Sequence, residues 1–207
     1  MPITQTIQQL MHERKSVRRY KEGVAIPREK LHTLLQNAIT APSSSNMQPW
    51  RFIVIEDQQV KKELRRISND QEQVETSSAI IAVLGDLEMY KNAQQIYDAN
   101  FEQGFMSREI ADLMIKNSLS LYGNLPEEKI TSIVHFDAGL ITMQIMLLAK
   151  EMGYDTVPMG GFDKVKFAEK FNLPKNEIPI LLIAIGEAAA PAYGSSRLPV
   201  EQIAKYI

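Results

Sequence analysis

Ala41-Pro42-Ser43-Ser44-Ser45-Asn46-Met47-Gln48-Pro49-Trp50-Arg51-Phe52-Ile53-Val54-Ile55 joins a core helix to a core strand through a polar turn. Upstream, Pro27 suits a first helical position, because its missing N–H would be unpaired there anyway. Leu31, Leu34, Leu35, Ala38 and Ile39 follow at helical spacing, and the helix ends before Ala41-Pro42. Downstream, residues 51–55 read as a strand. Asp57 can cap a helix over 58–67, with Val60, Leu64 and Ile67 facing inward.

Further out, residues 4–14 read as a first helix. Residues 79–84 are apolar on both faces, which marks a central buried strand. Residues 87–121 read as one or two helices of mixed polarity; they interrupt the alternation of core strand and core helix. Pro126 opens a long helix to Met152, stopped by Gly153 in a C-terminal cap position. Its second half, 140–149, is apolar nearly all round, so it must be buried on most sides, and in a chain this small that suggests a subunit interface. A short helix over 163–171 and a last core strand over 179–185 follow. The tail from Pro191 to Ile207 carries Tyr193, Leu198, Val200, Ile203, Tyr206 and Ile207, too many apolar groups for a free tail. The pattern gives an α+β sandwich: a small, mainly antiparallel sheet covered by helices.

The chain has 207 residues, 44% hydrophobic and 23% charged, with net charge −2. It reads as an ordinary globular protein with one substantial core. The balance argues against whole-surface binding to nucleic acid. No cysteine is present, which removes disulfides, thiolate catalysis and iron–sulfur clusters. His12, His32 and His135 lack metal-ligand spacing, so no metal is expected. The start of the chain has no basic segment leading into an apolar run, and the stretch 140–149 is too short to cross a bilayer. A cytoplasmic chain without membrane contact is expected.

Four segments could carry chemistry. Arg14-Lys15-Ser16-Val17-Arg18 places three cations and a hydroxyl together, as phosphate recognition requires; it also reads as a solvated basic loop. The 42–50 turn offers hydroxyls, two side-chain amides and the only Trp, groups suited to a polyol chain and a ring edge; alone it is also an ordinary turn. In Pro158-Met159-Gly160-Gly161-Phe162-Asp163 the paired glycines let the backbone approach a planar ligand, or simply form a helix-entry turn begun by Asp163. In Ser195-Ser196-Arg197-Leu198-Pro199, Arg197 is either a surface charge or a second anion ligand.

In this order, these residues resemble the FMN-dependent nitroreductase family, over nearly the whole chain. The chain is most similar to its short bacterial NAD(P)H nitroreductases. The Pro-Ser-Ser-x-Asn-x-Gln-Pro-Trp loop is the most specific match. The resemblance implies a nitroreductase-like three-layer sandwich, an intertwined homodimer and two FMN sites between subunits. Residues 1–207 would form one FMN-binding domain, with 87–125 a helical excursion or lid and 190–207 a tail docked on the partner. Arg14, Lys15, Ser16 and Arg18 would hold the phosphate and ribityl chain and approach the pyrimidine ring. Pro42, Ser43, Ser44 and Asn46 would come from the partner subunit. Pro158, Met159, Gly160 and Gly161 would lie along the flavin, with the glycine N–H groups near N5 and O4, and Arg197 would return to the phosphate. A polar contact to the ring falls at Asn69 or Gln71, within 69–73.

Departures from the family pattern are Lys15 where a second Arg is frequent, Gly160 where many members are acidic, and Ser195 in place of a basic residue. The phosphate site then leans on Arg14, Arg18 and Arg197. Phe101, Phe105 and Tyr122 either line a substrate pocket or belong to the core. The implied activity passes a hydride from NAD(P)H to FMN and then to a nitroaromatic, quinone or similar small-molecule acceptor in a ping-pong cycle. No catalytic side chain is required, since the flavin carries the chemistry. Alternatives are a flavoprotein of the same fold with other chemistry, such as reductive dehalogenation or flavin breakdown, and a non-enzymatic flavin-binding module.

Overall fold

The computed structural model describes residues 6–207; the expected helix start at Thr4 lies outside them. Helix α1 (Ile7–Glu13) begins with a reciprocal cap. Gln9 N–H donates to Thr6 Oγ1 at 3.2 Å, and Thr6 N–H to Gln9 Oε1 at 2.8 Å, so two otherwise unpaired donors are satisfied. In α2 (Arg28–Ala38), Pro27 occupies the cap itself, one place earlier than expected. Leu31, Leu34 and Ala38 are buried, Leu35 is half-buried and Ile39 is exposed. After a 3₁₀ turn at Ser44–Asn46 the chain enters β1 (Trp50–Ile55).

Helix α3 (Gln58–Arg66) is capped by Asp57, which accepts from Val60 N–H at 2.9 Å. Leu64 is fully buried, whereas Val60 and Ile67 are half-buried. The short α4 (Glu72–Thr76) gave no signal in the sequence, being too brief for a period to show. Strand β2 (Ala79–Asp86) is buried throughout. Two helices follow, α5 (Ala93–Glu102) and α6 (Arg108–Gly123). Helix α7 (Glu127–Glu151) has Pro126 at its cap, and Gly153 beyond it takes φ +85°. Strand β3 (Asp155–Met159), α8 (Lys164–Lys170), β4 (Glu177–Gly186) and α9 (Val200–Ile203) complete the described chain.

The sheet order is β1-β2-β4-β3, and every neighbouring pair is antiparallel. Strand β3 escaped the sequence reading because Pro158 sits inside it. An edge strand tolerates proline, whose missing N–H can face away from the ladder, and β3 is an edge.

Side-chain alternation divides the core. Ala79, Ile81 and Val83 of β2, with Ile183 and Ile185 of β4, pack under α2, α5, α6 and α7. Ile80, Ala82, Leu84, Leu182 and Ala184 pack under α3, α4 and α8. Helices therefore cover both faces, as the three-layer expectation required. One bulge interrupts the ladder: Val83 pairs with Leu181 but Leu84 with Pro179, leaving Ile180 extra.

Helix α7 is long and apolar, and its burial is uneven. Within this chain it is covered on one face: Ile141, Ile145, Met146 and Ala149 are buried, Leu140, Leu147 and Leu148 half-buried, and Met143 and Phe136 exposed. Its full length and apolar character would also suit a bilayer span, but its buried face packs on the sheet and α2.

Candidate functional site

The first cluster forms along β3. Arg14 ends α1, and the extended chain after it runs beside the strand: Ser16 bridges Thr156 in parallel, and Val17 N–H donates to Thr156 O at 3.1 Å. This brings Arg14, Lys15, Ser16 and Arg18 to the outer edge of the sheet. Lys15 and Arg18 are exposed, and among the described residues the Arg18 guanidinium bonds only Ser16 O, at 3.4 Å. Among the described residues none of the three cations makes an ion pair. Arg14 Nε is buried with no hydrogen-bond partner, a state costly enough to point to a missing acceptor.

Strand β3 delivers Pro158 and Met159 and then the exposed pair Gly160-Gly161. Open space surrounds the missing Gly160 side chain, with no atom within 4 Å of where a Cβ would stand. Asn69 and Gln71, in the bend between α3 and α4, both reach this point. Asn69 Nδ2 donates to Gly161 O at 3.0 Å and Gln71 Nε2 to the same oxygen at 2.9 Å. Asn69 is held at φ +51° and Asp70 at +53°. The bend turns both amides onto one carbonyl, so Asn69 and Gln71 stand side by side at the glycine pair. Gln73, buried beneath, donates to Gln71 Oε1 at 3.0 Å and to Met159 Sδ at 3.3 Å. Asp163 caps α8 as expected, accepting from Lys166 N–H at 3.0 Å, a bond that holds its carboxyl below the usual carboxylate range.

The second cluster is the turn carrying Pro42, Ser43, Ser44 and Asn46. Ser44 N–H reaches both oxygens of Asp137 at 3.1 Å, and Ser44 Oγ donates to Oδ1 at 3.0 Å. Gln48 N–H donates to Ser43 Oγ at 3.0 Å, and Gln48 Nε2 to Asn46 Oδ1 at 3.3 Å. Asp137 is buried in mid-helix; desolvation pushes its carboxyl up, opposed by the bonds from Ser44. Sequence reasoning missed this residue. The signal was an acid on the buried spacing Ile130, Val134, Asp137, Ile141, which demands a polar partner. Tyr122 is buried and bonded to the turn, whereas Phe101 and Phe105 are exposed.

One chain does not unite the two clusters. The turn enters β1 and the cations and glycines flank β3, the opposite edges of the sheet. Three strand spacings separate them, roughly 14 Å. The glycines run toward the turn's end of the sheet, since Trp50 is level with Gly85 and Ile178 and Met159 with Leu182, whereas the cations lie toward the other end, where Ser16 bridges Thr156, level with Ile185 and Ala79. Arg197 also stays apart. It lies in the exposed tail, where its guanidinium bonds Ser195 Oγ at 2.9 Å and Ser196 O at 2.7 Å.

Comparison with known proteins identifies the family. Residues 11–187 match the Nitroreductase family. A Bacillus subtilis (strain 168) protein named "Putative NAD(P)H nitroreductase YdgI" is 40% identical over 205 residues, 98% of each chain. A crystal structure from Exiguobacterium sibiricum 255-15, described as "a putative nitroreductase in complex with FMN", shares 39% identity at TM-score 0.93 and covers 98% of each chain. The "CLA biosynthesis enone reductase" of Lactiplantibacillus plantarum is 29% identical over 198 residues, 94% of this chain and 91% of its own. On sequence and fold alike, the chain belongs to the nitroreductase family.

Proposed function

We propose that this protein is an FMN-dependent NAD(P)H oxidoreductase of the nitroreductase type, working as a homodimer whose flavin sites lie between subunits. The observation that carries the reading is the division of the donor set between opposite sheet edges, which a second copy of the chain can reunite. The residues fit FMN. Arg14, Lys15 and Arg18, which make no ion pair among the described residues, suit a phosphate, with Ser16 beside them. Side chains are absent at Gly160 and Gly161, so a flat ring can approach the backbone. Asn69 and Gln71 fix that backbone from behind.

When bound, FMN supplies two-electron chemistry between NAD(P)H and an acceptor. The chain's own part is to bind, orient and polarise. Arg14, Lys15, Ser16 and Arg18 hold the anionic end, assisted by Arg197 brought in by the tail. Pro42, Ser43, Ser44 and Asn46 of one subunit close over the site of the other. Pro158, Met159, Gly160 and Gly161 line the ring. Residues 87–125 act as the lid, and residues 190–207 dock on the partner. The binding order is ping-pong, with the oxidised nucleotide leaving before the acceptor enters. Acceptors are small molecules, nitroaromatics or quinones, and the enone-reducing relative widens the class to activated double bonds. The enzyme works in the cytoplasm, where NAD(P)H is regenerated.

The test is direct. The purified protein should be yellow, and heat should release FMN rather than FAD. NADH or NADPH should then be oxidised with a nitroaromatic or quinone, giving parallel lines in double-reciprocal plots. A protein that binds no flavin after added FMN overturns the reading; intersecting lines overturn the ping-pong order alone.

A further inference from the structure

Ser45, Asn46 and Gln48 have φ of +48°, +57° and +49°. This is left-handed backbone, where a side chain is disfavoured, and the turn contains no glycine. Such a conformation persists only when its surroundings over-determine it.

Three side chains from three helices supply that constraint. Tyr122 of α6 shares a 2.8 Å hydrogen bond between its hydroxyl and Ser45 Oγ. Tyr97 of α5 donates its hydroxyl to Ser45 O at 2.9 Å. Asp137 of α7 accepts both the N–H and the hydroxyl of Ser44. All three residues are buried, and both rings belong to the core beneath α7. Their polar tips therefore arrive at the turn with little freedom to move.

We propose that Tyr97, Tyr122 and Asp137 are positioning residues that lock the 44–48 turn in its left-handed form and so set the affinity of the flavin site. The proposal rests on the reading above that the turn belongs to that site. All three act through Ser44 and Ser45. The clamp also ties both helices of the 87–125 segment to the turn, so a shift of α5 or α6 reaches Asn46 through one hydrogen bond and one peptide.

The experiment compares the parent, Tyr97→Phe, Tyr122→Phe, the double variant, and the double variant carrying Ser45→Gly. Each Phe keeps the packed ring and removes one oxygen. FMN is titrated into apo-protein by flavin fluorescence, with a thermal melt of the same samples. The double variant should melt near the parent yet bind FMN roughly tenfold more weakly. Glycine takes positive φ without strain, so Ser45→Gly should restore the dissociation constant to within roughly threefold of the parent. Unchanged affinity in the double variant overturns the proposal, and so does a loss that Ser45→Gly leaves in place. Should the double variant fail to fold, Tyr122→Phe with and without Ser45→Gly gives the same comparison. A parent that binds no FMN overturns the functional reading as well, whereas a parent that binds with unaffected variants overturns only the clamp.

Discussion

Arg14 Nε is buried without a partner, and among the described residues the Arg18 guanidinium reaches only a carbonyl two residues away. A buried unpaired donor such as Arg14 Nε costs free energy unless an acceptor completes it, and the exposed Arg18 is free to turn toward the same anion. Replacing Arg18 or Arg197 by Ala should weaken FMN binding by about one to two decades, the worth of a charge-assisted bond to phosphate, and leave the melting temperature close to the parent. His32→Ala, on α2 away from both clusters, serves as a control. If both arginine variants bind FMN as tightly as the parent in an apo-protein titration, the phosphate lies elsewhere.

Asp137 gives a pH prediction. Burial raises its folded pKa above the unfolded value, near 3.9 for an ordinary Asp. The fold thus favours the protonated carboxyl. That contribution is complete below about pH 4 and is lost as pH rises through the folded pKa. The melting temperature of the parent relative to Asp137→Asn should therefore fall between acid and neutral pH. A difference that stays flat, or moves the other way, would show that the Ser44 bonds outweigh desolvation.

At the scale of elements, the contact between α7 and β2 is the tightest constraint. A Cβ on Gly85 would stand 2.1 Å from Val134 Cγ1 and 2.8 Å from Ile180 Cδ1, so the helix can lie on the strand only because no side chain intervenes. Ile180 is the extra residue of the β4 bulge, so bulge and glycine together shape one seat for α7. Gly85→Ala should destabilise by roughly 1–3 kcal/mol, the usual cost of overpacking, read as an earlier urea midpoint with unchanged slope. Val134→Ala in that background should recover part of the loss; no recovery would place the strain elsewhere.

At the scale of the molecule, the exposed apolar surface is patterned. Phe136 and Met143 lie seven residues apart on one face of α7, with half-buried Leu140 between them and half-buried Leu147 one turn beyond. Ile7 of α1 joins Leu147 and Leu148 in lining an apolar groove of about 400 Å³. Leu198, Val200, Ile203 and Tyr206 of the tail are exposed as well. Surface of this extent normally marks an interface. Light scattering at low micromolar concentration should give twice the chain mass. Phe136→Asp with Ile203→Asp should shift the protein toward monomer and lose FMN in parallel. A folded, flavin-loaded parent monomer would end the dimer reading.

The sequence by itself determined what is local. Asp57 and Asp163 mark helix starts because capping uses side chains within three residues. Ala79–Leu84 declared a central strand because apolarity on both faces needs cover on both. The cation run, the polar turn and the paired glycines were legible for the same reason: each is a short stretch whose chemistry is its own. Only the tertiary structure decided what depends on distant partners. It placed β3 at an edge, where a proline is harmless, and it set the turn and the cations on opposite edges. It brought Asn69 and Gln71 onto one carbonyl through two left-handed residues. It gave Asp137 a partner 93 positions away. Periodicity reports which face of a segment is buried, but the groups that meet across the sheet are fixed by long-range packing, and no local pattern encodes that.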